Sequence, residues 1–153
     1  VEGLRGFRGV EHRIEHVARI EGVDFYNDSK STNIDSLKVA LESFSTPVVL
    51  IAGGEGKGAD YRVLRDLVVS RVSKLITLGE DAPKLEEAFG DLVPFERAAD
   101  MDEAVARAAA AATPGQAVLL SPACASFDMF DDFEHRGRVF KEAVRRRSAR
   151  TPA

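Results

Sequence analysis

Short apolar runs recur along the chain and alternate with amphipathic stretches. The clearest run, residues 47–52, is continuous and has the length of a strand that is buried on both faces of a parallel sheet. Residues 74–78 and 117–120 form two further runs of this kind. Between the runs, apolar residues recur at spacings of three and four, which is typical of helices that cover a sheet. The pattern therefore predicts strands that alternate with helices.

The remaining elements can be placed from turn and capping residues. Residues 12–20 and 23–26, separated by a Glu-Gly pair, predict an antiparallel hairpin. Asn33 or Asp35 can cap a helix that ends before Pro47, and Asp100 can cap an alanine-rich helix that runs to residue 112. Further helices are predicted over residues 61–70, 81–89 and 130–147, and a short edge strand over residues 92–95.

This alternation indicates the fold class. Crossover connections of this length produce parallel sheets with helices on both faces. We therefore expect a Rossmann-like open α/β sheet, mostly parallel, with an N-terminal antiparallel hairpin. No repeat, linker or low-complexity segment divides the 153 residues, which predicts a single domain over residues 1–153. In such sheets ligands bind beyond the carboxyl ends of the strands.

Charge and composition narrow the possible partners. The hydrophobic share of 44% and the charged share of 30% are typical of a soluble globular protein. A formal net charge of −4 creates no field that would draw the chain to nucleic acid or to an anionic membrane, so neither partner is expected. No apolar run approaches the roughly 18 residues of a membrane span.

Cysteine and histidine are scarce in this sequence. The single cysteine cannot form an internal disulfide, which favours a reducing, cytoplasmic location. Three histidines and one cysteine provide no Cys/His spacing for a metal site, so no metal ligand is predicted. The chain starts without Met and without an obvious first element. We therefore expect it to be part of a longer protein.

Two polar runs follow predicted strands and lead into predicted helices. Residues 27–33 read Asn-Asp-Ser-Lys-Ser-Thr-Asn, and residues 121–126 read Ser-Pro-Ala-Cys-Ala-Ser. Together they predict two walls of one anion site. The first run alone fits ordinary turns and caps equally well, although Lys30 beside Asp28 favours a nucleotide. Cys124 is interpreted as a small buried residue, because no base stands at a spacing that would activate its thiol.

A glycine-rich loop over residues 53–58 leaves two interpretations open. It is not a phosphate-binding Walker A loop, because Ile51 replaces the first glycine and Gly58 replaces the final serine or threonine. The loop is either a flexible turn or a segment that positions Lys57 to bind a carboxylate or phosphate of a substrate.

Two other polar segments are expected at the surface. These are the His12-Arg13 pair and residues 134–137, although Gly137 within a predicted helix indicates close packing.

Several of these motifs line up in order with one protein family. Residues 9–13, 27–33, 53–57 and 120–128, followed by residues 133–137, resemble the carboxy-terminal domain of the Mur ligases. The resemblance is greatest to the members that add D-glutamate, and it covers residues 5–147.

The resemblance implies an ATP-dependent ligase of peptidoglycan synthesis. Such a ligase joins D-glutamate to UDP-N-acetylmuramoyl-L-alanine through an acyl phosphate. The positions that match the family's nucleotide contacts are Arg13, Asp28 and Lys30. The positions that match its D-glutamate contacts are Thr32, Lys57, Ser126 and the backbone around Phe133. No catalytic residue is assigned to this chain.

The resemblance also implies what other domains would supply. In the family, the phosphate loop and the Mg²⁺ ligands belong to a central domain, and the UDP-sugar site belongs to an amino-terminal one. Neither domain is recognised in these residues, so the isolated chain is expected to be inactive.

Two alternative functions stay open. The first is a non-enzymatic module that binds a nucleotide or an amino acid on the same sheet. The second is a folate-type or cyanophycin-type ligase domain for another amino acid, against which the Ser-Pro-Ala-Cys-Ala-Ser run argues. The diaminopimelate-adding ligases carry an Asp-Asn-Pro-Arg run that this chain lacks, which favours D-glutamate.

Overall fold

Six strands form one sheet in the computed structural model, which describes residues 11–56, 58–126 and 128–150. Their bounds are β1 (Glu15–Ile20), β2 (Val23–Asn27), β3 (Val48–Gly53), β4 (Val72–Leu78), β5 (Phe95–Arg97) and β6 (Ala117–Leu120). The strand order is β1-β2-β6-β3-β4-β5. β1 and β2 are the predicted antiparallel hairpin, and all other neighbours run parallel. The sheet therefore has the expected mixed, mostly parallel architecture.

Helices connect the strands. They are α1 (Ile34–Glu42), α2 (Arg65–Arg71), α3 (Ala82–Phe89), α4 (Met101–Ala111) and α5 (Phe133–Arg150), and a 3₁₀ turn (Tyr61–Leu64) leads into α2. The Asn33 side chain accepts a hydrogen bond from the Ser36 amide, and Asp100 accepts one from the Glu103 amide, so both predicted caps are confirmed. Within the described ranges, no helix has the length and apolar character needed to cross a bilayer.

Alternate side chains along the strands point to opposite faces of the sheet, and helices cover both faces. One face packs against α1, α2 and α3, and its core includes Leu41, Leu50, Leu75, Leu85 and Phe89. The other packs against α4 and α5, and its core includes Val49, Ile51, Ile76, Ala104 and Phe140. These strand residues have almost no exposed surface, as expected for parallel strands that are covered on both sides.

The predicted edge strand over residues 92–95 is wrong in its position. β5 begins only at Phe95 and ends at Arg97. The amides of Leu92 and Val93 both donate to the carbonyl of Phe89, so these residues complete the turn after α3. The backbone amides of these two residues are therefore bonded within the turn and do not pair with the sheet.

The last helix starts later than predicted. α5 begins at Phe133, whereas the sequence pattern places its start at Phe130. The amides of Met129 and Phe130 both donate to the carbonyl of Ser126, which makes a separate turn between β6 and α5. Apolar spacing cannot distinguish this turn from the first turn of the helix.

Candidate functional site

A pocket of about 460 Å³ opens where β2 ends. Four of the seven predicted site residues, Arg13, Asp28, Lys30 and Thr32, line it together. The rest of the wall consists of Ile14, Ser31, Asn33, Ser36, Val39 and Ala40. The pocket therefore combines two cations, one carboxylate, several hydroxyl groups and an apolar side.

Asp28 is the buried carboxylate of this pocket. Only 4% of the residue is exposed. Its Oδ1 accepts a hydrogen bond from the Ile14 amide at 3.1 Å, and its Oδ2 accepts one from the Ser121 hydroxyl at 2.8 Å. Burial raises the pKa of Asp28 to about 6, although both hydrogen bonds act to lower it. Asp28 is therefore mostly ionised at neutral pH and keeps free lone pairs for a ligand.

Lys30 and Arg13 are exposed and carry the positive charge of the pocket. The backbone amide of Lys30 donates to the carbonyl of His12 at 2.9 Å, which holds the two segments together. The Lys30 ammonium lies 5.5 Å from the centre of the Phe133 ring, within the range of a cation–π contact. This contact places Phe133 beside the pocket. Two cations on one rim favour a polyanionic ligand.

His12 is buried, so the predicted surface position of the His12-Arg13 pair is wrong for His12 and confirmed for Arg13, which is exposed. Its Nδ1 accepts a hydrogen bond from the Asn27 side-chain amide at 2.9 Å, and burial lowers its pKa. The ring packs so closely on Gly137 that a Cβ at that position would overlap it. The expected close packing at Gly137 is confirmed. Because His12 is anchored inside, Arg13 is presented at the pocket.

Arg136 is also buried, although residues 134–137 were expected at the surface. Its guanidinium donates to the Cys124 carbonyl at 2.9 Å, to the Ser29 carbonyl at 2.8 Å and to the Ser29 hydroxyl at 3.0 Å. Burial lowers the pKa of Arg136 to about 10, so the side chain remains charged at neutral pH. Arg136 therefore joins the loop after β2 to the loop after β6. Sequence reasoning missed this residue.

The loops after β3 and β6 form a second wall next to the pocket. The amide and carbonyl of Glu55 pair with those of Ala125 at 2.8 and 2.9 Å, and the Gly53 amide donates to the Pro122 carbonyl at 3.1 Å. Gly53 has a φ of 136°, and a Cβ there would overlap the carbonyl of Leu78. Glycine is therefore needed at this point for close approach of two backbones.

The other predicted D-glutamate contacts lie at or near this second wall. Ser126 directly follows the paired Ala125, is buried, and does not line the 460 Å³ pocket. The Phe133 carbonyl accepts a hydrogen bond from the Ser29 hydroxyl at 2.6 Å, which ties the start of α5 to the loop after β2. Lys57 lies outside the described residues, so its placement stays a prediction.

Cys124 belongs to a buried hydrogen-bonded group that sequence reasoning did not identify. The Tyr61 hydroxyl donates to Asp81 Oδ2 at 2.5 Å and lies 3.1 Å from Cys124 Sγ. Burial raises the pKa of the Cys124 thiol to about 11, so the thiol stays protonated. The interpretation of Cys124 as a small buried residue is therefore confirmed.

A cluster of titratable groups lies beside the hairpin. Ligand atoms of Glu11, His12 and Glu15 approach within 4.8 Å of one another. The Lys141 ammonium already lies 2.7 Å from Glu11 Oε2 and 3.3 Å from Glu15 Oε2. Because Lys141 supplies the positive charge, this cluster is an ion-pair group that ties α5 to the start of the hairpin.

Comparison with known proteins gives concordant matches. Residues 12–124 match a family model described as Mur ligase, glutamate ligase domain. The UDP-N-acetylmuramoylalanine--D-glutamate ligase of Aromatoleum aromaticum is 54% identical over 142 residues, which cover 92% of this chain and 30% of that protein. The ligase of the same name from Pseudomonas fluorescens is 50% identical over 145 residues, which cover 92% of this chain and 32% of that protein.

Solved structures share the fold at much lower identity. The UDP-N-acetylmuramate-alanine ligase MurC of Thermotoga maritima has a TM-score of 0.60 at 15% identity, and the match covers 95% of this chain and 33% of that one. The chain thus spans about a third of the length of the relatives it matches.

Proposed function

This chain belongs to the Mur ligase family, and we propose that it serves as the carboxy-terminal domain of an ATP-dependent ligase that joins D-glutamate to UDP-N-acetylmuramoyl-L-alanine. The observation that carries this proposal is the pocket at the end of β2. There a buried carboxylate and two cations face one space of about 460 Å³. Arg136 joins the loop after β2 to the second wall, and we infer that this wall of small residues faces the amino acid.

The pocket residues fit a nucleotide. Asp28 offers carboxylate lone pairs to the ribose hydroxyls, while Arg13 and Lys30 provide donors and positive charge for the phosphates. Val39 on α1 is exposed and, with Ile14, forms an apolar surface suited to a purine base. We assign ATP to this space because each part of the molecule meets a chemically matching group.

The second wall fits a dicarboxylic amino acid. D-glutamate carries a carboxylate at each end, and each end requires donors and positive charge. Thr32 lines the 460 Å³ pocket together with Lys30, Ser126 directly follows the Glu55–Ala125 pair of the second wall, and Lys57 belongs to the glycine loop by its position in the sequence. We assign D-glutamate to these residues together with the backbone around Phe133.

The chemistry explains why the two sites adjoin. A carboxylate oxygen of UDP-N-acetylmuramoyl-L-alanine attacks the γ-phosphorus of ATP, which forms an acyl phosphate and releases ADP. The D-glutamate amine then attacks the acyl carbon, and the tetrahedral intermediate expels inorganic phosphate as the amide bond forms. Residues of this chain would hold the amine close to the acyl phosphate, and such positioning supplies several kcal/mol of the barrier reduction.

Other parts of the reaction are assigned elsewhere. Among the described residues that line the pocket, Asp28 is the only carboxylate, which makes a complete Mg²⁺ site within this pocket unfavourable. We therefore propose that the Mg²⁺ ligands, the phosphate loop and the UDP-sugar site are contributed by central and amino-terminal domains. ATP and a nucleotide-activated sugar are intracellular metabolites, so we propose a cytoplasmic enzyme of cell-wall synthesis.

The decisive experiment measures phosphate release by the complete protein that carries this chain. Release should require ATP, D-glutamate and UDP-N-acetylmuramoyl-L-alanine together. Lys57→Ala should raise the KM for D-glutamate about tenfold or more, since a charge-assisted contact is lost, and should change the KM for ATP little. Lys74→Ala, a lysine that pairs with Glu96 on β5, serves as the control and should change neither KM.

Two outcomes would count against the assignment. Turnover with another amino acid and none with D-glutamate would replace the proposed substrate. An equal rise of both KM values in Lys57→Ala would remove Lys57 from the amino-acid site.

A further inference from the structure

Asp81 stands immediately before α3 but does not cap it. Elsewhere in this chain, Asn33 and Asp100 occupy the equivalent position before a helix, and each side chain accepts a hydrogen bond from an amide of the first turn. The Asp81 side chain makes no such bond. Its carboxylate instead contacts the Tyr61 hydroxyl and, at 3.9 Å from Oδ1, the Lys84 ammonium.

The closer of these partners is Tyr61, at the start of the 3₁₀ turn. The Tyr61 hydroxyl donates its single proton to Asp81 Oδ2 at 2.5 Å, because a carboxylate can only accept. The thiol of Cys124, 3.1 Å away, must then act as the donor to Tyr61 Oη. All three residues are buried. The group therefore connects the segment after the glycine loop, the loop after β4 and the loop after β6.

The Asp81 carboxylate packs directly against the glycine loop. A Cβ at Gly56 would overlap this carboxylate, and the Asp81 amide donates to the Gly54 carbonyl at 2.9 Å. The Asp81 carboxylate thus packs against the glycine loop, and the hydrogen bond from Tyr61 fixes the orientation of that carboxylate. Lys57 follows Gly56 in the sequence.

We propose that Tyr61 and Asp81 are positioning residues that set the path of the glycine loop and thereby the affinity for the amino-acid substrate. This inference rests on the proposed function, since it deepens the role assigned to that loop. Neither side chain lines the nucleotide pocket, so their effect falls on the second wall. The Cys124 thiol links Tyr61 to the loop that holds Ser126. The carbonyl of Cys124 also accepts a hydrogen bond from Arg136.

The first test is Tyr61→Phe in the complete protein, which removes one hydroxyl and keeps the ring. The KM for D-glutamate should rise about fivefold to tenfold, as expected from the loss of one buried hydrogen bond. The KM for ATP and kcat should stay within about twofold of wild type, because the nucleotide wall is untouched. Tyr26→Phe removes the same atom from another fully buried tyrosine and should leave the KM for D-glutamate unchanged.

A pair of substitutions at Asp81 separates hydrogen bonding from general damage. Asp81→Asn keeps an acceptor for Tyr61 and should retain a KM for D-glutamate close to wild type. Asp81→Ala removes the acceptor and should raise that KM at least as much as Tyr61→Phe. Equal effects of the two Asp81 substitutions would overturn the assigned role of the hydrogen bond.

Hydrogen exchange gives a readout that does not depend on activity. In Tyr61→Phe, amides of residues 54–56 and 124–126 should exchange faster, while the rest of the sheet stays unchanged. Uniformly faster exchange would mean a merely structural role and would overturn the inference. Wild-type turnover with an unaltered KM in Tyr61→Phe would overturn the inference alone, whereas a wild-type protein without D-glutamate-dependent turnover would overturn the proposed function as well.

Discussion

Asp28 combines deep burial with a negative charge at neutral pH. Its two accepted hydrogen bonds do not compensate for the loss of hydration, so its pKa rises to about 6. In the unfolded chain an aspartate titrates near pH 3.9. The folded state therefore binds the Asp28 proton more tightly than the unfolded state does. Between the two pKa values the free energy of unfolding falls as pH rises, and the ionised group is a cost above about pH 6.

Asp28→Asn should remove this pH dependence. The amide can accept from the Ile14 amide and donate to the Ser121 hydroxyl, so the local geometry is preserved. Compared with wild type, the variant should gain stability between about pH 4 and pH 7, by up to about 3 kcal/mol from a shift of about two pKa units. Urea denaturation at several pH values measures this difference.

The same substitution should weaken nucleotide binding if the proposed function holds, because the proposed ribose contact loses a charged acceptor. Asp35→Asn, at an exposed position in the first turn of α1, is the matched control. Parallel stability curves for wild type and Asp28→Asn would contradict the prediction. The stability gain and the loss of binding would together show that Asp28 is retained for its ligand.

At the level of elements, α5 approaches the hairpin through Gly137. The absence of a side chain there lets the His12 ring lie against the helix, and the Asn27 side-chain amide donates a hydrogen bond to the Nδ1 of the ring. His12 has a φ of 66°, which an ordinary residue adopts only when its surroundings enforce it. The packing of α5 thus determines how the chain enters β1 and presents Arg13.

Gly137→Ala should destabilise the protein although alanine is the better helix former. The new methyl group overlaps the His12 ring, and overpacking of this kind costs about 1–3 kcal/mol, against about 1 kcal/mol gained in helix propensity. The midpoint of chemical denaturation should therefore fall. In a His12→Ala background the same substitution should become neutral or stabilising, and additive effects of the two changes would refute the contact.

The sequence pattern predicted most elements because their signals are local. The apolar runs of β3, β4 and β6 and the caps at Asn33 and Asp100 each lie within a few consecutive residues. The errors occur where tertiary contacts decide, as for β5, whose position depends on the turn after α3. At the site, polar residues after a strand indicated Asp28 and Lys30. The burial of Arg136 could not be predicted, because an arginine in a charged helix is normally exposed and its partner loops are distant in the sequence.

At the scale of the whole molecule, four loops meet at one edge of the sheet. They follow β2, β3, β4 and β6 and are joined by Arg136, by the Glu55–Ala125 pair and by the contact of Asp81 with Gly54. The chain spans about a third of the length of its relatives. Under the proposed function, this edge would therefore contribute one part of a reaction centre, namely the surfaces for a nucleotide and an amino acid.

The isolated chain should consequently release no phosphate when incubated with ATP, D-glutamate and UDP-N-acetylmuramoyl-L-alanine. It should also bind D-glutamate more weakly than micromolar in titration calorimetry, because only part of the surroundings of each ligand is present. The complete protein, assayed in parallel, is the control. Phosphate release by the isolated chain would refute the proposed division between domains, and micromolar binding without turnover in either form would favour a sensing module.

The glycines at this edge of the sheet limit which changes in loop length the protein can tolerate. Gly53 and Gly54 allow neighbouring main chains to touch, with φ values of 136° and 138°, and do not leave slack between them. Insertions or deletions would break several contacts at once, so we expect a ligase built on this frame to keep its loop lengths when its amino-acid preference changes. Changes of amino-acid preference should instead arise from exchanged side chains on an unaltered backbone, and redesign efforts would best begin with such exchanges.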